Sequence, residues 1–194
     1  MLTILVAGTW GDGDGDKWWR PGSPFAQMIE EADAAMPPEP FRWTANLDGV
    51  LGENAEWARW GIALTWFAHK HSKGRRVNII AHSHGGQVAA HALEAGLRVG
   101  TLITVATPVR RDMLPVWAAG APNLRRWVHI HSDAADGWQW WGSRFSGWFI
   151  VPRDMPAPAE NILEQGAGHG ELLSPNLWRG KGWANLLKQG TRKD

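Results

Sequence analysis

The stretch Arg76-Val77-Asn78-Ile79-Ile80-Ala81-His82-Ser83-His84-Gly85-Gly86-Gln87-Val88-Ala89-Ala90-His91-Ala92 decides how the rest of the chain is read. Val77 to Ala81 is a short run rich in β-branched apolar residues, the pattern of a strand buried in a parallel sheet. The residues past Gly86 read as a helix. Between them, Ala81 to Gly85 forms a sharp strand-to-helix turn with one serine at its apex and a small residue two positions to either side. A serine on such a turn takes unfavourable backbone angles and holds its hydroxyl clear of the sheet. Larger side chains at the flanking positions would strike the neighbouring strand or helix. The helix that follows aims its first amides and the positive end of its dipole at any negative charge formed there. Ser83 is therefore the candidate nucleophile.

Outward from this turn, apolar runs alternate with helical patterns. Leu2 to Ala7 reads as a first buried strand, followed by a loop rich in glycine and aspartate from Gly8 to Gly22. Ser23-Pro24 supplies an N-cap and a proline at the first helical position, and predicts a helix to about Ala35. Phe41 to Thr44 is a short candidate strand. Asn54 to His71 is the longest helical pattern, with Trp57, Trp60, Gly61, Leu64 and Phe67 on one face. The helix after the turn runs to about Glu94. Leu102–Ala106, Val128–His131 and Asn161–Leu163 are further strands, and Ser174-Pro175 opens a C-terminal helix reaching about Leu187. The alternation predicts an α/β fold: a mostly parallel sheet of about six strands with helices on both faces. At 194 residues, one domain spanning 1–194 is expected.

Composition narrows the classes of function. The formal net charge is +1 with no basic or acidic block, which speaks against nucleic acid as a partner. Without cysteine there is no disulfide, thiolate metal site or cysteine nucleophile. The apolar start of the chain lacks a charged leader and is too short to span a bilayer, so no stable membrane insertion and a cytoplasmic location are expected. Fifteen tryptophans exceed what a core of this size requires, and several are expected to line a cleft.

A serine hydroxyl needs a base to take its proton, and the base needs a carboxylate to orient it. In a parallel α/β sheet both are expected beyond the carboxyl ends of later strands. Asp133 and Asp136 follow the strand at 128–131, and His169 follows the strand at 161–163. The chain order serine, acid, histidine suits this architecture, with either aspartate as the acid.

With these residues in place, the chain resembles the α/β-hydrolase superfamily, and within it small bacterial lipases and esterases with little or no lid. The elbow Ala81-His82-Ser83-His84-Gly85-Gly86 matches the family's Ala-His-Ser-X-Gly-Gly form, and Ala7-Gly8-Thr9-Trp10-Gly11 stands where the first strand usually ends in His-Gly-Thr. Thr104-Val105-Ala106-Thr107-Pro108 is similar to the strand end that precedes the acid-bearing strand. The resemblance implies a Ser83–His169–Asp136 triad, since Asp136-Gly137-Trp138 fits the acid's spacing better than Asp133 does. It also implies an oxyanion hole from the backbone N–H groups of Thr9 and His84, and ester hydrolysis of a small-molecule or lipid substrate without a cofactor. Ala7 departs from the family's histidine, whose side chain fixes the oxyanion loop. Thioester or amide hydrolysis uses the same triad, and a non-catalytic binder of an apolar ligand is the alternative from another class.

Other constellations carry less. His82 and His84 flank the serine, but side chains adjacent to the apex diverge from it. His129 and His131 share a strand face without a third ligand, so no metal is expected. Asp12-Gly13-Asp14-Gly15-Asp16 starts like a calcium loop, then places Lys17 at the required glycine and Ser23 at the required glutamate. His69, His71 and His91 are assigned to solvated helix faces. Trp10, Trp18, Trp138 and Trp141 emerge at the sheet end that carries Ser83 and are the candidate walls of a substrate pocket.

Overall fold

The computed structural model describes residues 1–9, 17–32, 34–44, 54–133, 136–137 and 154–189. Five strands, β1 (Leu2–Val6), β2 (Val77–His82), β3 (Val99–Val105), β4 (Leu124–Ser132) and β5 (Glu160–Glu164), pair side by side in sequential order, every pair parallel. Helices α1 (Pro24–Glu31), α2 (Asn54–Ser72), α3 (Gly85–Glu94), α4 (Leu114–Gly120), α5 (Pro175–Lys181) and α6 (Leu186–Gln189) connect and cover them.

Sequential order has a consequence for the layers. Parallel crossovers of one hand stack their helices on one face, and α2, α3 and α4 accordingly share a core with that face. Trp57, Leu64, Val88, Leu93 and Trp117 pack there on Ile4, Val6, Ile79 and Leu102. The alternate strand residues Leu5, Ile80, Ile103 and Ile130 point the other way, as the period of two requires, and are covered by Phe25 and Ile29 of α1 and by Trp178, Trp183 and Leu187 near the C-terminus. Gly61 lets α2 and α3 approach closely, since a Cβ there would lie 2.5 Å from the His91 Cβ.

Several sequence expectations are corrected. Phe41–Thr44 is not a strand, so the described sheet has five strands rather than about six. Phe41 and Trp43 are buried, and the Trp43 indole N–H donates to the Ala7 carbonyl at 2.8 Å, so the segment packs through side chains instead of a ladder. Helix α1 begins as expected, with Ser23 Oγ accepting from the Ala26 N–H at 3.1 Å, but ends at Glu31. The Ala35 carbonyl instead accepts from Thr3 N–H beside β1, at 2.7 Å. The C-terminal helix is divided at Gly182, which takes a left-handed conformation. His91 is buried between α2 and α3, with Nδ1 2.9 Å from Glu94 Oε2, and not on a solvated face. Helix α4 had no reading in the sequence, because its pattern, Leu114-Pro115-Val116-Trp117-Ala118-Ala119-Gly120, is only two turns long. Among the described residues no helix is long and apolar enough to cross a membrane.

Candidate active site

Ser83 sits where β2 gives way to α3, with φ at +53°, in the left-handed region that a serine rarely enters. Close packing accounts for this conformation. A Cβ on Gly85 would lie 2.3 Å from the Ala7 carbonyl oxygen, and one on Gly86 2.3 Å from the Thr107 side chain. The turn is therefore pressed against the loops after β1 and β3 and can be built only from glycines there. The Ser83 N–H donates to the Val105 carbonyl at 2.9 Å, and the Gly86 N–H to the Ser83 carbonyl at 3.0 Å. These bonds anchor the apex from both sides.

The loop after β1 is joined to this turn. A Cβ on Gly8 would stand 3.0 Å from the Ser83 Cβ, so glycine is what allows the loop to lie beside the serine. Thr9 Oγ1 and His84 Nδ1 are 2.7 Å apart, a buried hydrogen bond whose donor follows the imidazole tautomer. With the Trp43 bond to the Ala7 carbonyl, the loop is held by an indole and a threonine at a site where Ala7 has no side chain able to do so. Among the described residues, neither the Thr9 nor the His84 backbone N–H has a backbone carbonyl acceptor. Behind His84, the Trp57 ring stacks at 5.3 Å and the Arg110 guanidinium lies over that indole at 4.8 Å, itself paired with Asp112 at 2.8 Å.

The two aspartates take different positions. Asp136 is fully buried and its Oδ2 lies 2.9 Å from His169 Nδ1. Asp133 is exposed, and its Oδ1 accepts the Gly166 N–H at 3.2 Å. It thereby ties the loop after β4 to the one that carries His169. The His169 loop is also closed by the Gly168 N–H to Glu171 Oε2, at 2.7 Å.

His82, the residue before Ser83, meets His169 directly: the rings are 4.6 Å apart, and His82 Nε2 is 3.3 Å from the His169 carbonyl oxygen. Desolvation, with His169 as the next contribution, pushes the His82 pKa down to about 3. Desolvation and the Arg110 charge push His84 down to about 3 as well. Both flanking histidines are thus held neutral. Sequence reasoning missed Gly8, Trp43 and the contact of His82 with His169. Only Gly8 left a signal, as a glycine closing the first strand.

Of the tryptophans proposed as pocket walls, Trp18 sets its ring edge-on to His82 at 6.1 Å and to Phe25 at 5.1 Å. Trp10, Trp138 and Trp141 lie outside the described residues, as does the calcium-like segment 12–16. Trp19, Trp43, Trp57, Trp117, Trp127, Trp178 and Trp183 are core residues. The His129 and His131 rings stack at 5.3 Å, with His129 Nδ1 2.9 Å from Thr104 Oγ1 and His131 Nε2 2.9 Å from Asp154. Among the described residues no group of three metal-ligating side chains forms.

No protein-family model matches this sequence, and no curated protein does. Solved structures do match. The chain is similar to an esterase of Pyrococcus furiosus at 12% identity and a TM-score of 0.58, over 98% of this chain and 82% of that one. It is similar to the esterase domain of a Rhodothermus marinus protein at 12% identity and 0.57, over 97% and 87%. A Xanthomonas campestris protein described as a hydrolase of the alpha/beta superfamily matches at 14% identity and 0.54, over 97% and 99%. At such identities the likeness is one of architecture, and it extends over nearly the whole chain: this protein has the α/β-hydrolase fold.

Proposed function

We propose that the protein is a serine hydrolase that cleaves carboxylic esters through an acyl-enzyme, with apolar acyl esters as substrates. One juxtaposition carries the assignment: a left-handed serine at the strand-to-helix turn, and a histidine–carboxylate pair whose imidazole touches the residue before that serine. Three structural neighbours described as esterases or hydrolases support the same class.

Ser83 Oγ attacks the ester carbonyl carbon while His169 Nε2, the nitrogen not facing Asp136, takes the hydroxyl proton. Asp136 keeps the other proton on Nδ1 and compensates the imidazolium charge. The bond to the alcohol oxygen then breaks, and His169 returns its proton to that oxygen. Water, deprotonated by the same imidazole, attacks the acyl-enzyme; the carboxylic acid departs and Ser83 recovers its hydrogen. The N–H groups of Thr9 and His84 receive the oxyanion in both steps, at about 3 kcal/mol each. Nothing in this sequence of steps requires a cofactor. Asp133 serves as a loop tether, and Trp18 walls the acyl site.

A fluorophosphonate probe should label Ser83, and Ser83→Ala should fold normally while losing roughly 10⁶-fold in kcat on nitrophenyl esters. Turnover by that variant within tenfold of the wild type overturns the mechanism. Across the ester series, a rate that rises with acyl length identifies the apolar acyl group as the determinant, and a flat profile removes it.

A further inference from the structure

At the opposite end of the sheet, arginines stand at the starts of β2, β3 and β4. Arg75-Arg76 precedes β2, Arg98 precedes β3, and Arg125 is the second residue of β4. Val77 pairs with Val99 and Val99 with Leu124, so the register sets these positions side by side. They line a cavity of about 580 Å³, whose wall also includes Ser72 and, on its apolar side, Leu2 and Ala35. β2 is six residues long, which puts this cavity about 17 Å or more from Ser83.

A structural role accounts for part of the cluster. Arg76 Nη1 donates to the Val99 and Asn123 carbonyls, Arg98 Nη2 to Gly74, and Arg75 Nε to Ser72. The guanidiniums of Arg75, Arg76 and Arg98 each have five N–H donors in a planar fork, so most of theirs remain after these bonds. Among the described residues, Arg75, Arg76 and Arg98 form no ion pair with a carboxylate, and the carboxylate of Glu39 near this cavity is taken by Lys70 and His71. Burial, and after it the charges of Arg125 and Arg98, hold Arg76 below its ordinary pKa. A separate feature points the same way. Ser72, one of the residues lining the cavity, is 3% exposed, and its hydroxyl has no hydrogen-bond partner among the described residues. A buried hydroxyl without a partner is unfavourable unless something supplies one.

We infer that this cavity binds a phosphorylated small organic molecule, with its phosphoryl oxygens on Arg75, Arg76, Arg98 and the Ser72 hydroxyl, and its carbon portion against Leu2 and Ala35. A phosphate monoester carries close to two negative charges near pH 7 and three acceptor oxygens, which suits several neighbouring guanidiniums better than a carboxylate does. Arginine forks match phosphate oxygens in geometry as well as charge. The volume lies within the range of small-molecule sites, and the mixed arginine and aliphatic wall favours an organic phosphate over inorganic phosphate alone. The site shares no residue with the ester-cleaving machinery, so it stands or falls separately.

The test is calorimetry on the full chain at constant ionic strength, with adenosine monophosphate, glycerol 3-phosphate, inorganic phosphate, sulfate and adenosine as probes. An organic phosphate should bind with a Kd below about 1 mM, at least tenfold tighter than sulfate, while adenosine gives no signal. Arg98→Ala and Arg75→Gln should each weaken that binding tenfold or more and leave ester hydrolysis unchanged; Ser83→Ala should bind as the wild type does. Phenylglyoxal modification of the unaltered protein gives a readout independent of variants: the bound phosphate should protect Arg75 and Arg98 from labelling. Phosphates that bind no tighter than sulfate, binding that survives both substitutions, or equal labelling with and without the probe overturns the assignment.

Discussion

The elbow and the Asp136–His169 arm meet at the same end of the sheet but are built on different principles. The elbow is a construction of backbone. Ser83, Gly85 and Gly86 lie against the Ala7 carbonyl, Gly8 and Thr107 at distances that leave no room for added atoms. The arm is a construction of side chains. Asp136 comes from the segment after β4 and His169 from the loop after β5, and they meet through one contact of 2.9 Å, supported by the Asp133 bond to the Gly166 N–H. A close-packed turn transmits any added volume to the core, whereas a side-chain contact between loops can be altered without moving a strand. Damage to the elbow should therefore appear in stability, and damage to the arm in rate.

The sharpest break of this contrast is in the arm. Asp136→Asn keeps the size of the side chain but can hold the imidazole in the wrong tautomer, and kcat should fall about 10⁴-fold. Asp133→Asn retains an oxygen to accept the Gly166 N–H, and kcat should change by less than about tenfold, the scale of one neutral hydrogen bond. Both variants should unfold within about 1 kcal/mol of the wild type. If Asp133→Asn proves the crippled variant, the acid has been misassigned, and the buried contact at Asp136 is structural.

Gly85→Ala tests the other half. Its methyl group would stand 2.3 Å from the Ala7 carbonyl oxygen and 2.7 Å from that of Val6. Both partners are backbone, so relief requires β1 or α3 to move. Stability should drop by about 3 kcal/mol, the upper part of the range for overpacking, and denaturant unfolding would measure it. A variant as stable as the wild type but slow in turnover would show that the elbow is softer than its packing implies.

The same division explains what could be read from the sequence. The elbow was legible because its requirements are local: small residues at fixed offsets, an apolar run before and a helical pattern after. The parallel sheet and its helices followed from the alternation of such runs. The acid was harder to choose. Asp133 and Asp136 are three residues apart in a turn, with the Asp136 N–H bonded to the Asp133 carbonyl at 3.2 Å, and only the tertiary approach of His169 separates them. Phe41–Thr44 looked like a strand because alternate burial of Phe41 and Trp43 imitates one, while its polar contact goes through the Trp43 indole to Ala7. His91 carried no sign that Gly61 would bring α2 over it.

The two histidines of the elbow provide the smallest test. His82 and His84 are held down to about 3, in both cases chiefly by desolvation, against an ordinary value of about 6.5 for the unfolded chain. Between these values the unfolded state binds protons that the folded state refuses. Their contribution to stability is therefore complete above pH 6.5 and erodes as pH falls toward 3. Glu39 and Glu160 are lowered from 4.5 by their partners Lys70 and Arg126, so their stabilisation is lost only below that value. The window from pH 6.5 to 4.5 consequently belongs to the histidines in this set. Unfolding free energy should decline there by up to about 1.4 kcal/mol per pH unit for each fully neutral histidine. His84→Gln should remove one proton's share of that slope while keeping the backbone N–H proposed to receive the oxyanion. Its kcat should fall by about tenfold, since the Thr9 bond that fixes the oxyanion loop is weakened and not the base. A slope unchanged by the substitution would mean that His84 takes up its proton in the folded state, and that the Trp57–Arg110 stack behind it is looser than its 5.3 and 4.8 Å spacings indicate.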